Sequence, residues 1–188
     1  MAVMYLDKDG AVTTGIGNLI DPIDYALNLP WTDFVTGAPA SQGDIMAEWE
    51  AVKKCNPQSR SGFWNQRAKL RLSTPDIDAL VLRKVQEFEA QLKMRRCFSL
   101  FDEWPADAQL GLLSMAWAMG GAFNFPKFEA AAARGDFMGM AGECKMDDSH
   151  NPGLTRRNIA NIQLFTNAYA VKMQNQRPDV LYFPRKLL

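Results

Sequence analysis

The chain has no surplus of charge: 21 lysines and arginines stand against 21 aspartates and glutamates. That balance argues against the basic face that nucleic acid or an anionic membrane needs, so neither is expected as a partner. No uninterrupted apolar run reaches membrane-spanning length, and membrane insertion is not expected. The N-terminus lacks a basic stretch followed by an apolar one, so no cleavable secretion signal is read there. The protein is expected to be made in the cytoplasm, and to leave, if it leaves, by another route. Cysteine is scarce as well. Cys55, Cys97 and Cys144 are odd in number and scattered, which suits buried thiols better than bridges or metal ligands. The single histidine, His150, lies in a polar loop beside Asp147, Asp148 and Pro152 and is expected to be solvated. No metal site and no cofactor is expected. There is no Gly-x-Ser-x-Gly setting for a serine nucleophile, no internal repeat and no low-complexity segment.

What is present is an ordinary globular composition, 47% apolar and 22% charged over 188 residues. One domain is expected, and a monomer. Near the N-terminus, Asp7-Lys8-Asp9-Gly10 is turn chemistry with apolar residues on both sides, Val3, Met4 and Tyr5 before it and Val12 and Ile16 after it. A β-hairpin follows from that pattern. Gly15 and Gly17 bracket Ile16, and glycines inside a strand mark close approach by a ligand or another backbone. A carboxylate at the turn, hydroxyls on the returning strand and a bare backbone beyond suit a polar substrate, while an ordinary surface hairpin has the same local features. The glycine of an EF-hand loop comes sixth, not fourth, so Asp7-Lys8-Asp9-Gly10 is not read as a calcium loop.

Beyond the hairpin, Trp31, Phe34 and Val35 are expected to anchor an ordered loop. Ser41 is placed to cap a short helix running to Lys54 with Ile45, Ala47, Trp49 and Val52 on its apolar face, and residues 55–62 break it. Leu70, Arg71 and Leu72 are open to strand or helix. Thr74 is placed to cap the clearest helix, with Pro75 at its first position and Asp76 after it, and Ile77, Leu80, Val81, Val85, Phe88 and Leu92 recur at three- and four-residue steps. Residues 110–119 are apolar on nearly every face, as in a helix at the centre of a core, and Gly120-Gly121 ends it. Pro126 opens another helix that Gly135 stops, and Asp136 caps a short one towards Cys144. Thr155 is expected to cap the last helix and to bury Ile159, Ile162, Phe165 and Tyr169. Val180, Leu181, Tyr182 and Phe183 suggest that the tail packs.

Three stretches in this order resemble one family. Tyr5-Leu6-Asp7-Lys8-Asp9-Gly10 followed by Thr13-Thr14-Gly15-Ile16-Gly17 is similar to the hairpin of the phage-type lysozymes, glycoside hydrolase family 24, whose pattern is Tyr-x-Asp-x-x-Gly-x-x-Thr-x-Gly-x-Gly-His. Residues 113–120 resemble that family's central helix. Gly153-Leu154-Thr155-Arg156-Arg157 resembles the late Gly-Leu-x-x-Arg-Arg motif of endolysins. Residues 21–73 match the small phage enzymes poorly.

The resemblance implies an α+β fold, mainly α and lysozyme-like. Residues 1–73 would form a hairpin lobe with an extended insertion, 74–94 a connecting helix and 95–188 a helical lobe. It implies a muramidase that hydrolyses the bond between N-acetylmuramic acid and N-acetylglucosamine, in phage lysis or as an antibacterial effector delivered into another cell's periplasm. Peptidoglycan glycan strands would be the partner, with an immunity protein if the chain is an effector. Asp7 would be the second catalytic carboxylate and Thr13 the hydroxyl that holds the attacking water. Tyr5, Gly15, Gly17, Asn18 and Arg157 would contact the glycan, although Asn18 stands where the family has histidine and Arg157 is better placed to pair internally. The family's general acid is a glutamate about seven residues before the hairpin tyrosine, and no glutamate occurs here before Glu48. A chain truncated at its N-terminus explains that, and so does a lysozyme-like module that binds glycan or serves a structural role without cleaving. Glu48, Glu50 and Glu103 are candidate substitutes, each read as sitting on a solvated helical face.

Overall fold

The computed structural model describes residues 1–56, 61–149 and 151–188. Residues 57–60 of the expected helix break, and the reading of His150, lie outside the described residues. The architecture is mainly helical with a small antiparallel sheet, an α+β arrangement weighted to α. The chain divides into two compact units, Met1–Lys84 and Val85–Leu188.

In the first unit, strands β1 (Tyr5–Leu6), β2 (Val12–Thr14) and β3 (Asn18–Leu19) form one antiparallel sheet in that order. Tyr5 pairs with Thr13 and Leu6 with Val12; Thr13 then faces Leu19 and Thr14 faces Asn18. The β1–β2 turn closes as its residues dictate: Gly10 takes φ 79° and the Asp7 amide donates to the Ala11 carbonyl at 2.9 Å. A short helix α1 (Asp24–Leu27) and strand β4 (Thr32–Asp33) follow. Trp31 is buried as expected, but Phe34 and Val35 are exposed, Val35 by 91%. They sit in a turn organised by Asp33, whose Oδ1 accepts the amides of Val35 and Thr36, so polar bonding rather than apolar anchoring holds this loop.

Helix α2 (Gln42–Lys53) starts at Ser41, where Ser41 and Asp44 form a reciprocal capping box. Its inward face carries Ile45, Glu48 and Val52, not Ala47, which is exposed. Helix α3 (Ser61–Arg67) precedes strand β5 (Leu70–Arg71), which pairs with β4 through Thr32–Arg71 and Asp33–Leu70. Lys53 ties α2 to the hairpin, donating to the Gly10 carbonyl at 2.9 Å and pairing with Asp21.

Helix α4 (Thr74–Lys93) has 20 residues, about 30 Å, and the division between the units falls inside it. Its cap is Ser73, one residue before the Thr74 expected: the Ser73 hydroxyl accepts the Asp76 amide while the Asp76 carboxylate accepts the Ser73 amide at 3.2 Å. Leu80 and Leu92 are fully buried, and Ile77, Val81, Val85 and Phe88 half-buried.

The second unit packs α5 (Ala106–Met119), α6 (Pro126–Ala132), α7 (Phe137–Glu143) and α8 (Pro152–Met173) around a core rich in phenylalanine. Ala108, Leu112, Met115 and Ala116 are closed off from water, in line with the all-apolar reading of α5, although Leu110 reaches the surface. Gly111 is where α5 meets α8: a Cβ there would lie 2.8 Å from the ring of Phe165. The Asp136 side chain caps α7, accepting the Gly139 amide at 2.9 Å.

Two expectations about α8 are corrected. Asn151, not Thr155, caps it, accepting the Gly153 amide at 3.2 Å. Ile159 and Ile162 are exposed, Ile159 by 63%, because the inward stripe is Asn158, Asn161, Phe165 and Ala168. The Asn158 amide fits there because neighbouring backbone receives it, whereas Asn161 has no such partner among the described residues. Asn158 makes two bonds to the Met146 backbone, at 2.9 and 2.8 Å. Asn167 does the same for the tail, donating to the Arg185 carbonyl at 2.8 Å and accepting the Leu187 amide at 3.1 Å. Among the described residues no helix is long and apolar enough to cross a membrane.

Candidate functional site

The hairpin brings Tyr5, Asp7, Thr13, Gly15, Gly17 and Asn18 into one small sheet and its turns. Asp7 is half-buried, and its Oδ1 accepts the amides of Asp9 and Ala11, both at 2.9 Å. That oxygen therefore organises the turn as an Asx motif before it does anything else. The Tyr5 hydroxyl is pushed above its ordinary pKa by burial and by the nearby negative charge of Asp7, against a smaller opposing effect of the Gly17 amide. Tyrosine, carboxylate and glycine backbone thus share one locality. Thr13 is buried and donates to the Ala11 carbonyl at 3.3 Å.

Gly15, at φ 62°, is needed by the fold itself. A Cβ there would lie 2.8 Å from Asn18 Nδ2 and 3.2 Å from Ile77 Cγ2, so Asn18 and α4 close over bare backbone. Gly17 is the exposed glycine, at φ 104°. Asn18 is buried with neither amide atom hydrogen-bonded among the described residues. An amide orphaned at both ends is uncommon, since an unmet buried polar group costs roughly 1–3 kcal/mol.

Arg157 belongs to the second unit. Its guanidinium is half-buried and donates to the Ser114 carbonyl and hydroxyl, each at 3.2 Å, and burial lowers its pKa. It therefore has an internal partner on α5. Asn161, one turn further along α8, is wholly buried with both amide atoms unpartnered among the described residues.

The three glutamates considered as substitutes differ sharply. Glu50 is exposed beside Lys54 at 3.6 Å, and Glu103 is exposed at the end of a short 3-10 turn. Glu48 is not on a solvated face: it is 8% exposed. Its Oε2 accepts the amides of Lys69 and Leu70 at 2.9 and 3.0 Å, while Oε1 has no partner among the described residues. Burial raises its pKa, against lesser lowering by those two amides and by the Lys69 charge. The signal was in the spacing, since Glu48 stands three residues after Ile45 and four before Val52. A cavity of about 290 Å³ opens beside it, lined in part by Met4, Val52, Cys55, Trp64 and Arg67.

The cysteines form no disulfide; Cys144 is buried, and its thiol is pushed up to about 12 by burial. Among the described residues no group of three or more histidines, cysteines or carboxylates is placed to hold a metal ion. Compared with known proteins, the chain matches no protein-family model, no curated protein and no solved structure.

Proposed function

We propose that this chain acts on peptidoglycan as a lysozyme-like domain of the phage type, with the bond between N-acetylmuramic acid and N-acetylglucosamine as the one hydrolysed. The observation that carries the reading is the hairpin sheet, whose paired strands and two turns hold Tyr5, Asp7, Thr13 and Gly17. Glycoside hydrolysis needs one carboxylic acid to protonate the leaving oxygen and one carboxylate to activate water or stabilise the oxocarbenium ion. Asp7 takes the second role, because its Oδ1 is held by two amides and the side chain is thereby fixed in direction. Thr13 lies beside Asp7 on the returning strand, and half-buried Tyr5 and exposed Gly17 meet the sugar chain, while Gly15 and Asn18, both buried, shape the turn beneath it. The protein acts as a monomer without a cofactor, at the cell wall or in the periplasm after release or delivery.

A second reading is a module of the same fold that binds glycan without cleaving it. One observation favours it: the Asp7 and Thr13 side chains already have partners within the turn. A general acid contributes roughly 10²–10⁴-fold, so its loss leaves binding and removes most turnover.

Clearing of purified cell walls, with muropeptide analysis, tests both readings on the chain as given and on a chain extended upstream by a segment carrying glutamate and glycine. The first reading expects clearing by the extended chain. If that chain is inert yet still pellets with cell walls, the binding module stands and the hydrolase falls. If neither chain clears or pellets, both fall.

A further inference from the structure

The cavity beside Glu48 combines three features that the hairpin does not use. Its inner wall holds Glu48, nine-tenths buried, with Oε2 committed to two backbone amides and Oε1 left without a partner. Arg67 is an exposed residue on the same cavity, and its guanidinium lies 4.4 Å above the Phe63 ring. The lining also includes apolar Met4, Val52 and Trp64, all buried. Small side chains complete the lining: Ala51 on α2, Cys55 beyond its end, and Ala68. At about 290 Å³ it is roughly twice the ~150 Å³ that holds a benzene ring in an engineered core.

A buried acceptor and an exposed cation on one largely apolar cavity fit a ligand that carries the opposite pair of charges at one end and an apolar group at the other. The geometry points to a binding site for a small zwitterion with an apolar side chain, a free amino acid of about the size of leucine. Its ammonium would meet Glu48 Oε1, its carboxylate would meet the Arg67 guanidinium, and its side chain would lie against Val52 and Trp64. A buried carboxylate oxygen left unmet is costly, and a charge-assisted bond from an ammonium relieves that cost. Burial already disfavours the ionised form of Glu48, which is the environment a cationic ligand reverses. This inference is independent of the peptidoglycan reading, since it uses neither the hairpin nor Arg157.

Calorimetric titration of the whole chain with L-leucine, isoamylamine and isocaproate tests it. The two smaller probes are leucine without its carboxylate and leucine without its amine. Leucine is expected to bind saturably, and each truncated probe at least tenfold more weakly. Glu48→Gln retains an oxygen for the Lys69 and Leu70 amides and is expected to lose tenfold or more in leucine affinity. Arg67→Gln changes an exposed side chain and is expected to bring leucine down to the affinity of isoamylamine, which keeps the test open should the Glu48 variant misfold. Leucine that binds no more tightly than isocaproate, or equally well to both variants, overturns the proposal. So does the absence of saturable binding, with water alone filling the cavity.

Discussion

Asp107, wholly buried in the first turn of α5, accepts the backbone amide of Tyr182, 75 residues later, at 2.8 Å. The same carboxylate accepts the Phe183 amide at 3.0 Å and the Asn167 side chain at 2.9 Å. One acid thus fastens the tail to α5 and α8, which is how Tyr182 and Phe183 come to pack as their sequence suggests.

Asp107→Ala removes the acceptor and leaves three donors unmet in a dry site. Hydrogen bonds to a charged group contribute about 1.5–3 kcal/mol each, and part of that returns as water enters the loosened tail. A loss of about 3–4 kcal/mol is expected in urea denaturation, with faster proteolysis of residues 176–188. Unchanged proteolysis of the tail would mean that Asp107 does not hold it.

Much of this fold could be read where the cause is local. The Asp7–Gly10 turn, the Ser41 cap, the Gly120 stop and the Asp136 cap each depend on a few adjacent residues, and each appears where expected. What escaped depends on distant partners. Strands β4 and β5 have two residues each and pair across an interval of 39 residues, too short a pattern to carry a period. On α8, isoleucines at 159 and 162 outweigh asparagines at 158 and 161 in any apolar pattern, yet the asparagines turn inward because loop backbone meets Asn158 there. Glu48 escaped for the same reason, being buried against amides of β5 and the residue before it. In the candidate site, the hairpin motif was legible, and so was internal pairing of Arg157 as one of two readings, but the partner Ser114 and the closing of Ile77 over Gly15 were not, since both lie far off in sequence.

Ser73 and Thr74 both carry hydroxyls at the start of α4, and only the first is bonded as a cap. Ser73→Ala is expected to destabilise the chain by about 1 kcal/mol in thermal or urea unfolding. Thr74→Ala is expected to change stability by less than about 0.5 kcal/mol. The reverse order would place the cap at Thr74.

Glu48 makes a pH prediction with a definite sign. Burial raises its folded pKa above the ordinary 4.5, so the fold favours the protonated form more than the unfolded chain does. The contribution of Glu48 to stability is therefore full below 4.5 and declines as pH rises through the raised value. The charge of Lys69 opposes the shift, and Arg67 shares the cavity. Glu48→Gln does not titrate, so it should gain on the wild type between about pH 4 and about pH 7 when both are unfolded in urea. A variant that loses ground over that interval would show that the amides and Lys69 outweigh burial.

Asp7 has two roles that different substitutions separate. Asparagine keeps an oxygen for the Asp9 and Ala11 amides but cannot act as a carboxylate, whereas alanine removes both functions. Asp7→Asn is expected to change stability by less than about 0.5 kcal/mol, and Asp7→Ala to lose about 1–2 kcal/mol as the turn loosens. On cell walls, any clearing by the upstream-extended chain should fall by about 10²-fold or more in both variants, while pelleting with the walls persists in Asp7→Asn. Full clearing by Asp7→Asn would remove Asp7 from the reaction and leave it a turn residue. Loss in Asp7→Ala alone would trace the effect to the shape of the hairpin, because asparagine preserves that shape and only the charge is gone.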